Sequence, residues 1–224
     1  MKKQIIILGI IALIAGGCFG QITNKQISNN SNSMSKKTSE FRAAMIQAVL
    51  TQDEDFLKKN LTPENVNNIY EFPVTRQMRV YLSDGTEETD FFDDVDEITL
   101  LFFAAQKNLP VSVKILIEKG ADVNAKDLEG RTPLIAIVKE PNTEVVQQIL
   151  IENKASVDFY ISWHEDPVLH YYIENEKFEL AELAIEHGAD VNIKNRYSMS
   201  VLEIAEKHGT PKIVSMLKER GAKK

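Results

Sequence analysis

Apolar residues in the C-terminal part of the chain recur at helical spacing in short bursts, punctuated by clusters of Gly, Pro, Asn and Asp. In one burst Leu134, Ile137 and Val138 mark one face of a first helix, Pro141-Asn142-Thr143 turns the chain, and Val145, Val146, Ile149, Leu150 and Ile151 continue on a second helix. Thr132 stands where it can cap the first helix, and Pro133 suits its first position, where an N–H has no intrahelical acceptor. The pattern predicts units of helix, turn, longer helix and loop. These units repeat: GADVN at Gly120 to Asn124 returns unchanged at Gly188 to Asn192, sixty-eight residues later, which is two periods of thirty-four. Lys154 to Asp158 is a worn copy halfway between, and Gly221-Ala222 begins another. A fixed period of this length signals a stack of small units, each unable to bury its own apolar face, rather than one closed core. Gly120 is placed to end its helix with a positive φ at low steric cost.

Thr99-Leu100-Leu101-Phe102-Phe103-Ala104-Ala105, followed by Val113, Leu116, Ile117 and Gly120 to Asn124, resembles the ankyrin repeat, whose pattern is T-P-L-H-x-A-A and then V-x-x-L-L-x-x-G-A-D-V-N. Thr132-Pro133-Leu134-Ile135, Pro167-Val168-Leu169-His170 and Ser200-Val201-Leu202-Glu203 open three further units, although none holds the whole T-P-L-H motif. The resemblance runs from about Glu97 to Ala222 and implies an all-α fold, an ankyrin-repeat α-solenoid. Its units are 97–124, 125–158, 159–192 and 193–224, the last acting as the C-terminal cap. Only Gly130 keeps the family's hairpin glycine; Glu165 and Ser198 occupy the equivalent places. Residues 41–67, with Phe41 to Leu50, Glu54 to Leu61 and Asn65-Val66-Asn67, read as an eroded N-terminal capping repeat. From there to the next Val-Asn pair the chain runs about two dozen residues beyond one period, so 68–96 is an insertion. Within it Met78 to Leu82 and the Asp84-Gly85 turn suggest a small hairpin.

The N-terminus changes this picture. Met1-Lys2-Lys3 is a basic head, Ile5 to Ala15 an apolar run and Gly16-Gly17-Cys18 a small-residue exit, the three-part plan of a secretory signal. The apolar stretch to Gly20, at about 1.5 Å per residue, falls short of the roughly 30 Å hydrocarbon core of a bilayer. Cys18 is the single cysteine and has no partner for an internal disulfide. Leu13-Ile14-Ala15-Gly16-Gly17-Cys18 resembles the lipobox of bacterial lipoproteins, and that resemblance implies a signal peptide over 1–17 and a diacylglycerol on Cys18. Ala15 stands where that family most often has leucine, and cleavage after Gly20 by an ordinary signal peptidase is the alternative. Two or three acyl chains, at about 0.8 kcal/mol per buried methylene, would anchor the chain permanently. Phe19 after the cysteine favours the outer membrane by the same resemblance. Residues 18–40, rich in Asn, Ser, Thr and Lys, read as a flexible tether.

Charge narrows the partners. The chain carries a formal net charge of −7 and an isoelectric point near 5.2, so nucleic acid and anionic surfaces are repelled. The insertion holds Asp84, Glu87, Glu88, Asp90, Asp93, Asp94, Asp96 and Glu97 without the D-x-D-x-D-G pattern of a calcium loop, and reads as a solvated acidic loop or as a contact for a basic partner. His164 and His170 lie six positions apart, the wrong spacing for two metal ligands on one helix face. His170 aligns with the family's structural histidine. No pairing of nucleophile and base and no phosphate-cradling glycine loop is present in the sequence. No catalytic residue, metal or cofactor is expected.

In ankyrin proteins the hairpin tips and the outer side of each first helix form a concave binding surface. By aligned position these are Lys126, Leu128, Glu129 and Arg131, with Lys139 and Glu140, in the second unit. In the third they are Tyr160, Trp163 and His164, with Asp166, Glu174 and Asn175. In the fourth they are Lys194, Arg196, Tyr197 and Met199, with Lys207 and His208. Trp, Tyr and Arg dominate binding hot spots; Trp163 is either such an anchor or folds inward over a neighbouring unit. The expectation is an exported, lipid-anchored monomer in the cell envelope that binds a protein partner and performs no catalysis. A structural or protective envelope factor shielding a periplasmic enzyme is one alternative, and an enzyme with its site in the insertion another.

Overall fold

The computed structural model describes residues 34–81, 87–159 and 166–224, with side chains over 37–72, 95–159 and 166–224. Helix α1 (Met34–Thr51) leads into α2 (Glu54–Asn60), whose first turn is capped by Asp53 accepting from the Phe56 N–H. α1 begins inside the 18–40 stretch that composition assigns to a tether. That stretch holds no Pro or Gly after Met34, and once a helix is nucleated each further turn adds a hydrogen bond per residue fixed. The signal segment, Cys18 and the start of the tether lie outside the described residues.

Strands β1 (Ile69–Tyr81) and β2 (Glu87–Thr99) then pair in a two-stranded sheet. The short link between them leaves no room for a crossover, so the pairing is antiparallel. Each strand has 13 residues, far more than the Met78 to Leu82 alternation indicates. The acidic residues of β2, a type depleted in strands, mask its character in the sequence. Leu82 and the Asp84-Gly85 turn lie outside the described residues.

Four helix pairs follow: α3 (Leu100–Gln106) with α4 (Pro110–Glu118), α5 (Pro133–Ile137) with α6 (Glu144–Glu152), α7 (Val168–Glu174) with α8 (Phe178–Glu186), and α9 (Val201–His208) with α10 (Pro211–Glu219). By compactness the chain divides into two bodies, one from the chain up to Phe41 together with Phe72–Val95, the other from Arg42–Glu71 and Asp96–Lys224. In the second body the first helices form one layer, α3 beside α5 and α7 beside α9, and α2, α4, α6, α8 and α10 stack in sequence as the other. Leu101, Leu116, Leu134, Leu150, Leu169, Ile185 and Leu217 are all buried between them. Fully burying one such side chain contributes about 1.5–3 kcal/mol.

The second helix of each of these four pairs ends in the same way. Behind α4, Gly120 takes φ 90°, the Ala121 N–H donates to Leu116 O at 2.9 Å and the Gly120 N–H to Ile117 O at 2.9 Å. This paired closure satisfies carbonyls that have run out of helix. It recurs at Gly188 and Gly221, and also at Lys154, which adopts φ 70° despite its side chain.

Polar rungs join successive units. Asn67 Oδ1 accepts from the Asp122 N–H at 2.8 Å, Asn124 Oδ1 from Ser156 at 2.8 Å, Asp158 Oδ1 from Asp190 at 2.7 Å and Asn192 Oδ1 from Lys223 at 3.0 Å. The amides of Asn67 and Asn124 also donate back, to Gly120 O and Lys154 O, each at 3.2 Å. Nearer the N-terminus the Ser112 hydroxyl donates to Val49 O at 2.7 Å, and Gln52 Oε1 accepts from the Val111 N–H at 3.1 Å. Residues 42–71 are thereby tied into the same stack.

Candidate functional site

The hairpin tips are built on one acidic or amide side chain each. In the second unit Asp127 Oδ1 accepts the N–H groups of Glu129 at 3.0 Å and Arg131 at 2.8 Å, while Asp127 N donates to Arg131 O at 3.0 Å. In the fourth, Asn195 Oδ1 accepts the N–H groups of Tyr197 and Met199, both at 3.0 Å, and Asn195 N donates to Met199 O at 2.9 Å. Gly130 sits in the first tip at φ 79° and Ser198 in the second at φ 62°. Ser198 therefore reproduces the glycine conformation that its side chain disfavours, because the Asn195 bonds on both sides hold the turn.

These braces present side chains outward on fixed backbone. Leu128 is 73% exposed and Tyr197 65% exposed, the two most open large apolar side chains among the described residues. The Arg196 guanidinium lies 4.6 Å from the centre of the Tyr197 ring, a cation–π pairing that stiffens both. Lys126 and Lys194 are exposed, and the Lys126 ammonium stands 5.2 Å from the centre of the Phe159 ring. Arg131 is held within its own tip, its guanidinium 2.8 Å from Asp127 and 3.3 Å from Glu129. Met199 is half-buried, and its carbonyl lies 3.3 Å from His170 Nε2. Tyr160, Trp163, His164 and the Glu165 loop position lie outside the described residues.

In the third unit Asp166 stands just before the cap of α7, His170 lies within its first turn and Glu174 is its last residue. His170 is fully buried, and burial pulls its pKa below the ordinary imidazole range against the opposing influence of the Met199 carbonyl and of Asp166. Its Nδ1 and the Oδ1 of Asp166 find no hydrogen-bond partner among the described residues. The reason is local. In the fourth unit the residue three places into the helix, Glu203, completes a reciprocal cap with Ser200, whereas in the third unit Pro167 occupies the cap position and offers His170 no hydroxyl. Glu174 is raised by burial and by the Asp166 carboxylate, with His208, Arg196 and Lys207 acting the other way.

A buried polar network escapes the sequence pattern. Gln147 is fully buried on α6; its Oε1 accepts from the Tyr172 hydroxyl at 2.8 Å, and its amide donates to Thr143 Oγ1 at 2.8 Å. Burial drives the Tyr172 phenol far above the usual tyrosine range, so it remains a donor. A glutamine next to Val146, within an otherwise apolar burst, is the only trace of this network in the sequence. Its partner stands 25 positions downstream. Among the described residues no group of three or more His, Cys, Asp or Glu is arranged to hold a metal ion.

A family model described as "Ankyrin repeats (3 copies)" matches residues 22–161, and one described as "Ankyrin repeats (many copies)" matches 169–217. The chain belongs to the ankyrin-repeat proteins. Among curated relatives it is 30% identical over 156 residues to the putative ankyrin repeat protein FPV222 of fowlpox virus, covering 67% of this chain and 20% of that protein. It is 33% identical over 99 residues to the ankyrin repeat protein OPG189 of variola virus, covering 43% and 17%. It is also 25% identical over 132 residues to alpha-latrotoxin-Lg1a of Latrodectus geometricus, covering 58% and 10%. The chain thus spans a fifth or less of these relatives' own length. Ankyrin repeats are protein-interaction modules, and the all-α stack of helix pairs is their architecture.

Proposed function

We propose that this ankyrin-repeat chain is an exported, lipid-anchored, monomeric protein of the cell envelope that binds another protein through its hairpin tips and the outer side of its first helices, without catalysis. The observation that carries the binding surface is the pair of braced tips, where Leu128, Arg196 and Tyr197 stand open to solvent on hydrogen-bonded turns. Rigid aromatic and arginine anchors lose little entropy on docking and concentrate binding energy. The anchor rests on the basic head, apolar run and single Cys18 of the N-terminus. No helix among the described residues is long and apolar enough to cross a membrane.

The test begins with capture of the partner from solubilised envelopes and mass spectrometry of the N-terminal peptide. Tyr197→Ala is expected to weaken the captured partner by about 2 kcal/mol or more in calorimetry while leaving the urea melt unchanged. Unaltered affinity would remove the tips from the interface. Cys18→Ala is expected to release the chain from the membrane fraction, and retention there would remove the lipid anchor.

A further inference from the structure

The helix pairs bury one another, whereas the sheet of β1 and β2 has no third strand among the described residues. A two-stranded sheet alone is marginal in water, and each of its strands presents one open edge of main-chain N–H and C=O groups. Both strands have 13 residues, so an unbulged antiparallel ladder sets Ile69 opposite Thr99 and Tyr81 opposite Glu87. Pro73 decides which groups face outward. It has no N–H to give to β2, so its position belongs to the open edge of β1. Val95 opposite it, and every second residue of β2 from there, then belong to the open edge of β2. Within 87–94, a stretch lying wholly in the first of the two bodies, these are Glu87, Thr89, Phe91 and Asp93. The two edges differ. That of β1 lacks a donor at Pro73, while that of β2 offers a donor and an acceptor at every second residue without a break.

Charge selects what can add there. Over 87–94 β2 carries Glu87, Glu88, Asp90, Asp93 and Asp94 with no Lys or Arg, and over 74–81 β1 answers with Arg76 and Arg79 alone. Alternation assigns Glu88, Asp90 and Asp94 to one face and Glu87 and Asp93 to the other, so a strand laid along β2 meets carboxylates on both faces. A second copy of β2 would set like charges opposite one another, which is destabilising, and the edge is thereby closed to self-pairing. A strand bearing Lys or Arg meets opposite charge instead, and takes up the open main-chain groups as it does so. We propose that the outer edge of β2, over 87–94, receives an extended basic segment of the protein partner as a third, added strand. This deepens the protein-binding reading above, rests on it only for the occupant being a protein, and draws on none of the tip residues. Main-chain hydrogen bonds set the register of the added strand, and the carboxylates choose its charge.

The experiment uses the full chain and an acetylated, amidated octapeptide of alternating Lys and Val. One control is the same peptide N-methylated throughout, which keeps the charge and removes the main-chain donors; the other alternates Glu and Val. Saturation with the Lys-Val peptide is expected to slow hydrogen exchange at the amides of Thr89, Phe91 and Asp93 about tenfold or more, and both controls should bind more weakly by about tenfold or more. Thr89→Pro removes one outward donor, as Pro73 does on β1, and should weaken the Lys-Val peptide about tenfold. Should that variant lose the hairpin, Asp93→Asn combined with Asp94→Asn keeps every backbone group and should weaken the peptide to a similar degree. Equal binding of the N-methylated peptide, or unchanged exchange at the three amides, overturns strand addition and leaves only attraction between charges. Equal binding of the Glu-Val peptide overturns the basic occupant. A partner whose capture is weakened by Tyr197→Ala and untouched by Thr89→Pro strikes the edge and keeps the tips; a chain that takes the Lys-Val peptide with protected β2 amides, yet captures no protein, keeps the edge and loses the protein-binding reading.

Discussion

The third and fourth units are built to one plan and differ at almost every position where that plan is usually enforced. The fourth has Ser200 at its cap, with Glu203 closing the reciprocal pair at 2.8 Å and 3.2 Å. Gly188 stands at the preceding left-handed position, and Asn192 serves as its rung. The third has Pro167 with no side-chain cap, and the chain enters it past Lys154 at φ 70° and Asp158 in place of asparagine. Both nevertheless hold their helices, and the second helices still stack one on the next. The difference teaches that interfaces between neighbouring units, rather than caps and turn residues, carry most of the stability, as expected for a quasi-one-dimensional stack.

Core truncation tests this most severely. Leu169→Ala in the third unit and Leu202→Ala in the fourth are each expected to cost about 2–5 kcal/mol in urea melts, because both leucines are buried to a similar degree. A much smaller loss in the poorly capped unit would show that it is already loose, and the comparison would fail. A smaller effect is expected from Tyr172→Phe, which strands Gln147 Oε1 in the interior. The loss should be about 1–3 kcal/mol, and the variant isolates one buried bond between the third unit and the second. Smallest, and opposite in sign, is Lys154→Gly. Relief of the left-handed strain outweighs the added chain entropy, for a gain of up to about 1 kcal/mol, read as a higher urea midpoint. A lowered midpoint would mean that the Lys154 side chain holds something the backbone does not reveal.

The repeat itself was legible because its markers are local. Thr132 caps its helix through Oγ1 at 3.4 Å from the Ile135 N–H, Pro133 opens it, and Gly120 and Gly188 end theirs, all within a few residues of the apolar faces that they bound. The tips were legible for the same reason, since Leu128, Arg196 and Tyr197 follow from alignment of one unit on another. What depends on distant neighbours was not. Nothing near Gln147 announces Tyr172, 25 positions downstream. The length of β2 was hidden by its acidic composition, and the early start of α1 by a polar stretch that a neighbouring helix can extend into. Ser198 shows the limit from the other side: its departure from glycine left the loop open to question, yet Asn195 holds the same turn.

The Asn and Asp rungs carry a consequence for how such a molecule changes over time. Each rung is a side chain of one module answered by main chain of the next, and main chain is the same whatever residues it bears. A module copied and spliced into the row therefore meets a ready-made docking point at both of its boundaries. The verbatim GADVN at 120–124 and 188–192 is the kind of trace that such copying leaves. Lengthening by duplication asks for no new chemistry at the seam, so the reach of the binding face can be altered far more readily than the joints that hold it together.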